Sequence, residues 1–95
     1  MGECYVYIMA SKRNGTLYVG ITSDIAQRVQ RHKNDVGSEF VKQYNVKKMV
    51  YYEKHKNVED ALIREKQIKA WKRQWKMRLI EGVNSEWKDL SNDLI

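Results

Sequence analysis

Every residue from Cys4 to Ala10 is apolar or aromatic, and Leu17, Tyr18, Val19 and Ile21 repeat that character within Thr16 to Ile21. Short runs rich in β-branched and aromatic side chains predict strands. Lys12-Arg13-Asn14-Gly15 between them is turn chemistry, so the two strands form a β-hairpin. Ser23 or Thr22 can cap a helix from Asp24 to Lys33, in which Ile25, Ala26 and Val29 recur at helical spacing. Asn34 to Gly37 breaks it, and a helical turn is expected near Ser38 to Gln43. Val46 to Glu53, with Met49, Val50, Tyr51 and Tyr52, predicts a third strand. Asn57 then caps a long helix with Glu59 and Asp60 in its first turn, where carboxylates suit the positive end of the dipole. Val58, Ala61, Leu62, Ile68, Trp71, Trp75 and Leu79 mark its apolar stripe to about Ile80, with a bend near Lys72 and a stop at Gly82. The order β-β-α-(α)-β-α predicts an α+β fold, a three-stranded mixed or antiparallel sheet flanked by helices.

Composition narrows the partner more than the fold. The chain has 95 residues and 11.3 kDa, enough for one core, and the reading is a single domain over 1–84 with a loose C-terminal tail over 85–95. No apolar run reaches the roughly 20 residues of a membrane span, and the start lacks the basic lead-in of a signal peptide. The cytoplasm is the expected compartment. Cys4 is the single cysteine, which excludes an internal disulfide and a thiolate-rich zinc site. A net charge of +6 and a pI near 9.5 favour a polyanionic partner. The placement of charge says more: from Arg64 to Arg78 seven basic residues face one acid, Glu65, whereas Glu81 to Ile95 is net acidic. Lys66, Lys69, Lys72, Arg73 and Lys76 are therefore the candidate nucleic-acid contacts.

Pairing geometry draws several polar residues together. If Lys12 to Gly15 is a four-residue loop, Ser11 faces Thr16, Met9 faces Tyr18, and Tyr7 becomes the diagonal neighbour of Tyr18 on one face, about 7–8 Å away between α-carbons. Ordinary strand tyrosines packing a helix would show the same pattern, and Tyr5 shares the face. Tyr51 and Tyr52 read as plain strand residues. Gly20 falls on the Tyr7 face and either leaves a notch beside Tyr18 or marks the end of the strand. Arg28 and His32 lie one turn apart at the edge of a helix stripe, as a phosphate grip or as a solvated flank. Glu65 is the anomaly, a carboxylate inside an apolar stripe, and must face a cation, an arginine or a cavity. A salt bridge to Arg28 and a divalent-metal site both satisfy it. Trp71 and Trp75, four apart, read as core packing rather than base-stacking platforms.

Taken together, Tyr5-Val6-Tyr7, Tyr18-Val19-Gly20, Arg28, His32 and Glu65 resemble the GIY-YIG nuclease superfamily in its small single-domain bacterial branch, over about Cys4 to Asn84. Tyr5 stands where the family name has glycine. The resemblance implies hydrolysis of DNA phosphodiesters, in repair, recombination or the processing of branched or single-stranded DNA, with RNA left open. It implies one divalent cation, Mg²⁺ or Mn²⁺, held by Glu65, with Arg28 neutralising charge in the transition state and Tyr7 orienting or deprotonating water beside Tyr18. His32 would assist, and Gly20 and Asn84 would support the site. A tyrosine with an ordinary pKa near 10 is a poor base at neutral pH, so that role requires nearby cations to lower it. The competing reading is a binding module that keeps the scaffold and cuts nothing. The resemblance leaves monomer and homodimer equally open.

Overall fold

The structure, a computed structural model, describes residues 3–34 and 43–94, apart from the side chain of His32. Strands β1 (Cys4–Ala10), β2 (Leu17–Thr22) and β3 (Lys48–His55) form one sheet in the order β2-β1-β3. Both pairings are antiparallel, which settles the mixed alternative. β1 lies in the middle and is covered on both faces, so Val6 to Ala10 are all 0% exposed and its apolar run is continuous rather than alternating. The hairpin closes as expected: Ser11 N–H donates to Thr16 at 3.0 Å and Met9 stands opposite Tyr18.

Helix α1 (Ile25–Lys33) packs on one face of the sheet. Its cap is Asp24 rather than Ser23 or Thr22, because the Asp24 carboxylate accepts from Gln27 N–H at 3.0 Å while Thr22 Oγ1 accepts from Asp24 N–H at 3.1 Å. Ile25 and Val29 join Tyr7, Met9, Val46 and Met49 in the core on this side. Helices α2 (Val58–Ala70) and α3 (Arg73–Val83) cover the other face, where Cys4, Val6, Ile8, Ala10, Ala61, Ile68 and Ile80 pack together. β3 begins two residues later than expected and carries a bulge between its pairings with Ile8 and Met9. The bulge turns Val50 and Tyr51 to the same side, which is why Met49 to Tyr52 show no clean alternation. The turn expected over Ser38 to Gln43 lies outside the described residues except for Gln43.

The long helix of the sequence reading divides. Asn57 caps α2 as expected, its side chain accepting from Asp60 N–H at 2.8 Å. Trp71 (φ −66, ψ 152) and Lys72 (φ −60, ψ 149) are then both extended, so the bend is a full break. Gly82 is not the stop. α3 continues to Val83 and ends at Asn84, whose side chain donates to the carbonyls of Val50 at 3.0 Å and Lys88 at 2.8 Å and accepts from Lys88 N–H at 2.9 Å. Nor is the following segment loose. Trp87 is fully buried in the core beneath α2 and α3 despite a left-handed φ of 57, and its indole donates to Glu81 at 2.7 Å. Burying an indole offsets the ~1 kcal/mol of that backbone strain. Leu90, which opens the 3₁₀ turn Leu90–Asp93, and Leu94, just after it, pack on the α1 side instead. The chain therefore passes around the β3 edge, fastened by Asp89, which accepts from Met49 N–H at 3.2 Å and pairs with Lys33 of α1.

Candidate active site

Tyr7 stands directly opposite Gly20, so its ring lies over a position that has no side chain. A Cβ built on Gly20 would sit 2.5 Å from both Cζ and Oη of Tyr7 and 3.0 Å from Cε1 of Tyr18. The space beside Tyr18 is thus no open notch; the Tyr7 ring fills it. Tyr7 and Tyr18 rings are 6.3 Å apart, the diagonal contact that the hairpin register predicts. Arg28, on the inner edge of α1, donates from Nη1 to Tyr7 Oη at 3.5 Å, a long bond that places the guanidinium over the phenol.

Glu65 enters from α2. Its side chain is 12% exposed, as the apolar stripe requires, and its ion pair is with Lys69 one turn on, at 3.1 Å, rather than with Arg28. Its charge nevertheless reaches Tyr7. Burial raises the Tyr7 phenol, Arg28 pulls it back, and Tyr18 and Glu65 push it up again, for a net position of about 12. The cation that was needed to prime Tyr7 is present, but burial outweighs it, and Tyr7 keeps its proton at neutral pH. In the unfolded chain this proton leaves near 10.0, so its retention favours the folded state below that pH. The contribution, about 2–3 kcal/mol from a shift of about two pKa steps, is lost as pH rises through about 12. Thermal unfolding should show stability falling steeply across this alkaline range. Tyr7→Phe, which has no proton to lose, should flatten the decline, and an identical slope in the variant would contradict the assignment.

The GIY-YIG catalytic domain model matches residues 3–78. The chain belongs to the GIY-YIG nuclease superfamily. A UPF0213 protein of Staphylococcus saprophyticus is 38% identical over 80 residues, covering 84% of this chain and 96% of its own. A UPF0213 protein of Staphylococcus aureus is 36% identical, covering 85% and 98%. The solution NMR structure of a UPF0213 protein from Bacillus halodurans shares the fold, with a TM-score of 0.57, 23% identity and 92% of each chain covered. The three-stranded α+β architecture is therefore that of this small GIY-YIG branch.

The basic residues of α2 and α3 fall into two groups. Lys66 and Lys69 flank Glu65 on α2 and are exposed. Lys72 and Arg73 stand exposed at the α2–α3 break, Lys76 half-buried beyond them. Arg73 also has a structural task, donating to the carbonyls of Asn14 at 2.8 Å and of Gly15. This contact brings Lys12 and Arg13, both exposed on the hairpin turn, beside the start of α3, which sequence reasoning missed because nothing local links the two segments. His32 lies on α1, one turn after Arg28. Asn84 spends its side chain on β3 and the C-terminal segment, tying α3 to the scaffold.

Sequence reasoning also passed over Glu53. Tyr51 Oη donates to its Oε1 at 2.5 Å, His55 Nε2 lies 2.5 Å from Oε2, and Arg64 Nε donates to both oxygens at 3.3 and 3.0 Å. Burial pushes this carboxyl up, but hydrogen bonds from Tyr51, Arg64 and His55 outweigh it and hold it below the ordinary range. Tyr51 is therefore more than a plain strand residue. Among the described residues no cluster of three or more His, Cys, Asp or Glu side chains is placed to hold a metal, and Glu65 is the carboxylate whose charge reaches Tyr7. A largely shielded carboxylate whose ion-pair partner is an exposed lysine suits a hard cation that keeps most of its own waters, as Mg²⁺ does. Among the same residues no helix is long and apolar enough to cross a membrane.

Proposed function

We propose that this chain is a metal-dependent endonuclease that hydrolyses DNA phosphodiester bonds. The observation that carries the proposal is the convergence of Arg28, Tyr18 and the charge of Glu65 on the hydroxyl of a single buried tyrosine, Tyr7. A Mg²⁺ or Mn²⁺ ion on Glu65 would supply Lewis-acid polarisation of a phosphate oxygen. Arg28 presents a planar fork that cannot lose its charge, and it neutralises the anionic oxygens as their charge grows. Tyr7, protonated at neutral pH, acts as a hydrogen-bond donor that orients water or a phosphate oxygen rather than as a resting base. Tyr18 fixes the Tyr7 ring, and His32, one turn from Arg28, assists at the phosphate or in proton transfer. Lys66, Lys69, Lys72, Arg73 and Lys76 follow the phosphate backbone and make binding strongly salt-dependent.

The raised pKa of Tyr7 favours one alternative, a module that binds DNA and cuts nothing by itself, since Tyr7 keeps its proton at neutral pH. Incubating the purified protein with supercoiled plasmid and with branched oligonucleotides separates the two. The expected result is nicking with Mg²⁺ or Mn²⁺ that stops when the ion is chelated. Undiminished cleavage in excess chelator would sink the metal-dependent mechanism, and binding without cleavage under every ion would favour the alternative.

A further inference from the structure

An aromatic groove sits apart from the quartet, at the break between α2 and α3. Trp71, Trp75, Arg78 and Leu79 line a space of about 330 Å³. Trp75 is 47% exposed, the opposite of the core role that its spacing from Trp71 suggests. The break explains this. α3 turns Ile80 inward, and Trp75, five residues earlier, lies about 140° around the helix from it. An exposed indole is a standing cost in apolar surface, so its presence points to a partner that covers it.

The ring is also held in place. Trp75 meets Trp71 edge-on at 6.3 Å, the Arg64 guanidinium covers Trp71 at 5.2 Å, and Glu53 on β3 grips Arg64 through both carboxylate oxygens. A chain of contacts thus runs from the sheet to a surface indole and lowers the entropy lost when something stacks on it. The surroundings are cationic, with Arg78 in the groove wall, Lys72 and Arg73 at the break beside Trp71 in sequence, and Lys76 next in sequence to Trp75. Flat aromatic surface ringed by positive charge is the composition that holds a single strand, bases on the rings and phosphates on the cations. A duplex offers its bases only edge-on within its grooves and has no free face for the indole.

We propose that the Trp71–Trp75–Arg78 groove binds a single-stranded stretch of DNA, with a base stacked on Trp75 and the adjoining phosphate on Arg78. This rests on the nucleic-acid reading of the preceding section and specifies the form of substrate, one with an unpaired segment. The experiment compares labelled oligothymidine with a duplex of equal length, in chelator so that cleavage plays no part, for wild type, Trp75→Ala, Trp75→Phe and Arg78→Ala. Trp75→Ala should weaken oligothymidine binding roughly tenfold, with duplex affinity moving by less than about twofold and Trp75→Phe keeping most of the wild-type affinity. Oligothymidine binding that ignores Trp75→Ala overturns the inference, as does equal loss on the duplex. It is likewise overturned if wild type binds no oligothymidine, or if Trp75→Ala instead dissociates a dimer, which would make the groove a contact between copies. Each of these leaves the nicking assay to decide the nuclease reading separately.

Discussion

Glu65→Gln should lower plasmid nicking by roughly a thousandfold or more while the protein still binds DNA. The exchange keeps the size and shape of the side chain and removes its charge, so nothing in the packing of α2 against the sheet has to move. The Lys69 partner is 53% exposed, and loss of so solvated an ion pair costs little stability. Binding should hold or tighten slightly, because one negative charge leaves a surface that meets phosphates. A variant that cleaves as well as wild type would show that Glu65 is no part of the chemistry. One that neither cleaves nor binds would make it a structural residue.

Gly20→Ala is expected to leave a folded protein with activity reduced about a hundredfold, from a single methyl group. That methyl would stand 2.5 Å from the tip of the Tyr7 ring, where no real contact is tolerated. The ring is fully buried and flanked by Tyr18, so it relieves the clash by tilting, and its hydroxyl leaves the reach of Arg28. Overpacking of this kind costs about 1–3 kcal/mol of stability. Gly82→Ala is the matched control. Its new Cβ meets nothing within 4 Å, and in the last turn of α3 it should stabilise by at most about 0.5–1 kcal/mol with activity unchanged. If both alanines behave alike in melting and cleavage, the contact between Gly20 and Tyr7 has no functional weight.

The hairpin half of the site was legible because a four-residue turn fixes the register, and register alone brings Tyr7, Tyr18 and Gly20 onto one face. Glu65 was legible as a carboxylate within an apolar stripe, but its partner was not: Arg28 and Lys69 satisfy the same requirement, and only the packing of α1 against β1 decides between them. Trp75 was misread for a definite reason. Counting at three and four spacing assumes an unbroken helix, and the extended Trp71 and Lys72 reset the phase, leaving Trp71 as a half-buried support and Trp75 outside. The Glu53 network was invisible because it joins β3 to α2 through side chains with no shared period. Beyond Asn84 the spacing of Trp87, Leu90 and Leu94 matches neither helix nor strand, since these side chains serve opposite faces of the sheet.

The passage of that segment around β3 bears on how copies of the protein can associate. An uncovered outer strand is a template on which another chain can build by backbone pairing, the usual origin of sheet-to-sheet aggregation. Here Asp89 occupies a backbone donor of β3, and the turn from Leu90 to Asp93 lies beside the strand. Strand addition on that flank would first have to peel the segment away. The other border of the sheet is β2, which carries Tyr18 and Gly20, so any chain that extended the sheet there would press directly on the residues that hold Tyr7 in place.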